Sequence, residues 1–67
     1  GSMYKYVRDI MKLFDIDDSL AKEVLAEMER TDLRFSECTT SEFNLEASYS
    51  YQVVMASKRE KNNGLQR

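Results

Sequence analysis

The thirteen residues from Phe43 to Met55, FNLEASYSYQVVM, constrain the chain more than any others. Every odd position from 43 to 53 is apolar or aromatic and every even one is polar, so this stretch holds the largest store of buriable surface. As a strand it would place Phe43, Leu45, Ala47, Tyr49, Tyr51 and Val53 on one face, with residue types suited to a pleated sheet. As a helix the same residues divide into two stripes. One carries Phe43, Ala47, Tyr51 and Val54; the other carries Leu45, Tyr49, Val53 and Ala56. A helix with two apolar sides needs two surfaces to pack against.

The flanks favour the helix. Thr39-Thr40-Ser41-Glu42 fits a capping box, in which the Thr side chain accepts the amide three residues on and the Glu reaches back. At the far end Lys58, Arg59 and Lys61 suit the negative pole of a helix, and Gly64 suits a left-handed stop. A strand over 43–53 would be long for so small a domain, and only Leu33 to Cys38 could pair with it. The sequence therefore predicts an all-α fold of three helices, with the third longest and central. The competing arrangement is α+β, with two helices followed by a β-hairpin of 33–38 and 43–53.

Upstream, Met3, Val7, Ile10, Met11 and Phe14 recur on one face of a first helix from about Met3 to Phe14, widened by Tyr6 and Leu13. The run Asp15-Ile16-Asp17-Asp18-Ser19 interrupts that pattern. Asp17 or Asp18 can cap a second helix, and Ile16 sits where a hydrophobic staple would fix its entry. The second helix, from about Asp18 to Arg30, gathers Leu20, Ala21, Val24, Leu25 and Met28 on one side. Residues 31–40 read as a loop whose Leu33 and Phe35 plug the open end of the bundle. Gly1-Ser2 ahead of Met3 reads as the scar of an expression tag. Residues 3–60 form one domain and 61–67 a frayed polar tail.

At 67 residues the chain buries a small core, and such domains rarely gain more than about 3–5 kcal/mol from it. It has one cysteine and no histidine, so an internal disulfide is impossible and an ordinary zinc site has no ligands. Asp15-x-Asp17-x-Ser19 opens like a calcium loop, but Leu20 and Ala26 stand where that loop needs Gly and Glu. Cys38 has no histidine to activate it, and paired carboxylates such as Glu23 and Glu27 read as a solvated helix face. The sequence thus predicts no enzyme, no cofactor, no metal and no small-molecule substrate. Without an internal staple, association becomes the expected source of extra stability.

Charge is unevenly spread within the net −2. Up to Ser57, six Lys and Arg stand against eleven Asp and Glu; from Lys58 onward, four basic residues stand against Glu60. An acidic body repels nucleic acid. The second helix, as a recognition helix, would present Glu23, Glu27 and Glu29 to the major groove, which is the wrong sign. No apolar run of membrane length occurs, and a lone free thiol suits a reducing cytoplasm. Tyr and Met enrich at interfaces because they bury area while keeping a polar or adaptable tip. The expected function is that of a non-enzymatic accessory or regulatory protein that binds another protein and itself. Its homodimer interface is assigned to Leu45, Tyr49, Val53 and Ala56, with Tyr51 and Met55 beside them. The competing function is a helix-turn-helix DNA-binding regulator that touches nucleic acid through Lys58, Arg59, Lys61 and Arg67. In size and texture the chain resembles accessory proteins of temperate bacteriophages and other mobile elements, a likeness carried by no motif.

Overall fold

The computed structural model describes the backbone of residues 2–65 and the side chains of residues 3–61. It contains three helices, α1 (Ser2–Phe14), α2 (Asp18–Met28) and α3 (Thr40–Leu65), and no strand among the described residues. The β-hairpin alternative is therefore overturned. Residues 43–53 lie inside α3, and residues 34–38 close one helical turn in which the Cys38 amide donates to the Arg34 carbonyl at 3.0 Å. The physical reason is local. The Glu42 amide donates to Thr39 Oγ1 at 3.1 Å, and the Thr39 amide donates to Glu42 Oε1 at 2.8 Å. That reciprocal box satisfies two donors that a helix start leaves unpaired. α3 then runs through Gly64 to Leu65, past Glu60, where the sequence pattern ends.

The break between α1 and α2 uses a device with no glycine in it. Asp15 takes φ of 54°, and the Ile16 amide donates across it to the Met11 carbonyl at 3.1 Å. This six-to-one bond with a left-handed residue inside it is a Schellman stop. Ile16 and Met11, the two residues such a stop brings together, are both half-buried against the core. Asp17 then opens α2, its Oδ1 accepting the Leu20 amide at 2.9 Å. One residue later Asp18 pairs with Lys22 at 3.3 Å on the exposed side.

α2, not α3, is the helix on which both of the others pack. The core consists of Val7 and Ile10 from α1, Ala21, Val24, Leu25 and Met28 from α2, and Phe43, Ala47 and Val54 from α3. α1 and α3 meet mainly through aromatic rings. Tyr6 lies 5.7 Å from Phe43 between ring centroids, and Phe14 stacks on Tyr51 at 4.5 Å with 9° between planes. In each helix the two aromatics are eight residues apart, so α1 and α3 run parallel and in step. α2 runs against both, bringing Glu23 at its middle to Lys58 far along α3, with Nζ to Oε2 at 3.0 Å. Phe35 from the connecting loop completes an aromatic cluster, 5.1 Å from Tyr6 and 5.9 Å from Phe43. Leu33 also packs on the core, so both loop residues close the end of the bundle as the sequence suggests.

Two local substitutions test these devices. Asp15→Gly removes the side chain that makes a left-handed residue costly, and should stabilise the domain by about 0.5–1 kcal/mol. Thr39→Ala removes half of the capping box and should cost about 1 kcal/mol. In thermal unfolding of a domain this size, a change of about 1 kcal/mol moves Tm by about 4–8 °C, so the two variants should melt on opposite sides of the wild type.

Candidate protein-binding face on the third helix

α3 is twenty-six residues long and α2 only eleven, which at a rise of about 1.5 Å per residue makes them about 39 Å and 16 Å. One side of α3 faces the bundle, with Phe43, Ala47, Ser50 and Val54 buried. Two of these four are small, which lets the helix lie close on its neighbour. Ser50 is the only polar residue in the described core, and no buried side-chain N or O atom among the described residues lacks a hydrogen-bond partner. The sequence reading placed Tyr51 rather than Ser50 at this position. The signal was present, since Ser50 falls seven residues after Phe43 and three after Ala47, but its hydroxyl hid it from a search for apolar repeats.

The opposite side of α3 carries three large apolar side chains one helical turn apart. Leu45 is 58% exposed, Tyr49 57% and Val53 50%. Ala56, also exposed, extends the stripe by another turn. Exposed single hydrophobic residues are ordinary, whereas a contiguous row on a rigid element marks a surface that another molecule can cover. The structure brings these four residues together on one face. Tyr51 and Met55, grouped with them in the sequence reading, are half-buried, and Tyr51 packs against the core. Tyr51 is occupied by its stack on Phe14.

The basic residues near the end of α3 do not all gather on one face: Lys58 and Lys61 are neighbours on the helix and Arg59 points away. Lys58 is turned back to Glu23 of α2. At 3.6 residues per turn, Arg59 and Lys61 point about 160° apart around the helix. Arg67 lies outside the described residues. The exposed side of α2 carries Lys22 and Glu23, and Glu29 and Arg30 are exposed in the turn after it, with Glu27 half-buried and paired to Arg30 at 3.5 Å. Among the described residues, no helix is long and apolar enough to cross a membrane.

An open groove runs between α1 and α3, walled by Lys5, Asp9, Lys12, Leu13 and Asn44. Its apolar floor is Tyr6, Phe35 and Phe43, whose rings are already engaged with one another. Cys38 stands at its edge, half-buried, with Sγ donating to the Phe35 carbonyl at 3.6 Å. Among the described residues, no group of three His, Cys, Asp or Glu could hold a metal ion. On α1, Met3, Tyr4 and Leu13 are exposed as well. Met3 and Leu13 belong to the apolar arc read from the sequence, and the structure leaves both outside the core.

Comparison with protein-family models, with curated proteins and with solved structures finds no match to this chain.

The two tyrosines separate the faces of α3 by experiment. Tyr51→Ala should destabilise the isolated domain by about 2–4 kcal/mol, because it empties the stack on Phe14 and leaves a cavity. Tyr49→Ala should change the stability of the isolated domain by less than about 0.5 kcal/mol, as expected of a surface position. Urea unfolding of both variants in dilute solution reads the difference directly.

Proposed function

We propose that this protein is a non-enzymatic accessory or regulatory protein that works by binding protein through the outer face of α3. The observation that carries the reading is the row Leu45, Tyr49 and Val53, half exposed or more, one turn apart and on the side of the helix away from its own domain. Apolar and aromatic side chains on a preformed helix lose little conformational freedom on binding, so their burial converts efficiently into affinity. The face is bordered by Glu42 and Glu46, and the body as a whole is acidic, which steers encounter towards basic or charge-balanced partners. The half-buried free thiol of Cys38 suits action in a reducing compartment such as the cytoplasm.

The nucleic-acid reading gains no support from the placement of charge. A phosphate-binding surface needs several cations presented together. Here Lys58 is held by an acidic side chain, and Arg59 and Lys61 diverge.

Affinity capture of the tagged chain from a bacterial lysate tests the reading, with wild type and Tyr49→Asp run side by side, each with and without nuclease. Protein recovered by the wild type, resistant to nuclease and lost with Tyr49→Asp at unchanged helix content, is the expected outcome. Recovery that disappears with nuclease and ignores Tyr49 would overturn it.

A further inference from the structure

We infer that the outer face of α3 binds a second copy of this chain, with the two α3 helices antiparallel about a two-fold axis that passes between positions 50 and 51. The inference rests on the protein-binding reading above and names the occupant of that face. Its grounds are self-complementarity in both shape and charge.

An axis at that point sets each residue opposite the one equally far on its other side. Leu45 then meets Ala56 of the second copy, a large side chain against a small one. Tyr49 meets Gln52, and its ring lies beside Val53 near the axis, where symmetry brings the two Tyr-Val pairs together. Glu42 meets Arg59, and the symmetry makes that ion pair twice. The positions 42, 45, 49, 52, 56 and 59 are spaced alternately by three and four residues, the seam along which two helices stay in contact. All six are exposed in the single chain.

The parallel arrangement fails on charge. It would set Glu42 against Glu42, Glu46 against Glu46 and Arg59 against Arg59, and like charges facing one another across an interface are penalised. In the antiparallel arrangement Glu46 lies opposite Met55 at the edge, and Glu60 lies opposite Ser41, so neither carboxylate faces its own kind. The capping box uses Oε1 of Glu42 and holds that carboxylate at the start of the helix, with its second oxygen left for the arginine. Sterically the arrangement is open, because α1 and α2 lie on the far side of each α3. The part of α3 beyond Lys58 comes to lie along the start of α3 in the second copy.

The contact covers residues 42–59, about 27 Å of helix at 1.5 Å per residue. A single helix pair of that length sits at the small end of specific interfaces, so the dimer is reversible and forms with rising concentration.

Cysteine crosslinking reads the register. In a Cys38→Ser background, Leu45→Cys and Ala56→Cys are made as separate chains, mixed and oxidised. The expected product is the mixed dimer joined through 45 and 56, with no crosslink when Leu45→Cys is oxidised alone. Self-crosslinking of Leu45→Cys would overturn the antiparallel register. Sedimentation of the unaltered chain supplies the independent reading, since the 7.9 kDa mass should double as concentration rises. Arg59→Glu should weaken that association at low salt while leaving helix content unchanged. A chain that stays at 7.9 kDa throughout would overturn the second copy as occupant. The loss of lysate capture by Tyr49→Asp would then still stand by itself as support for binding a different protein.

Discussion

The packing of α2 against both of its neighbours governs the rest of the structure, because it is the shortest helix and the only one with a large contact on each side. Its buried residues, Ala21, Val24, Leu25 and Met28, come from fewer than three turns, yet they must serve α1 and α3 together. An eleven-residue helix cannot cover a twenty-six-residue one. The length difference leaves part of α3 without α2 beside it. It also forces α1 and α3, which run parallel, to meet over the edges of α2 and not along a common seam.

Aromatic rings fill those edges. Tyr6, Phe35 and Phe43 close one end of the bundle, and Phe14 with Tyr51 closes the other. Each such pair adds about 0.5–1.5 kcal/mol beyond the area it buries. That is a substantial share of what a core this small can supply, about 3–5 kcal/mol in total. In a chain with no disulfide, rings shared between α1, the loop and α3 do the work of a crosslink between the ends of the sequence. The consequence for association is direct. The core closes inside one copy, so the outer face of α3 is not an unfinished core waiting for its other half.

What the sequence made legible was whatever is decided within a few residues. The capping box at Thr39 and Glu42, the cap at Asp17 and the inward faces of α1 and α2 all follow from side chains acting on nearby backbone or from a simple helical repeat. The alternation over 43–53 was ambiguous because Phe43, Ala47, Tyr49 and Val53 share a face in a strand and separate in a helix; the box at its start decided between the two. Features set at a distance were hidden. Lys58 turns to Glu23 only because α2 runs antiparallel beside it, and nothing near Lys58 in the chain announces this. Leu13 is left exposed as a wall of the groove between α1 and α3. The left-handed Asp15 was masked by its own chemistry, since an aspartate before Asp17 and Asp18 reads as part of a capping cluster.

The composition of the outer face bears on the kind of contact proposed for it. A face built to be permanently buried would carry Leu and Ile at successive turns, and it would expose a monomer to unwanted association whenever the partner was absent. Here only Leu45 and Val53 are purely aliphatic among the large side chains. Tyr49 between them keeps its hydroxyl for water while presenting the ring, Gln52 and Glu42 sit on the seam, and Glu46 borders it. Such a face is wettable when bare and apolar enough to bind when covered. Joined to a core that closes without help, it suits a reversible partner better than a permanent one. The stability of the domain and the occupancy of its surface can then vary separately, as the proposed reversible binding requires.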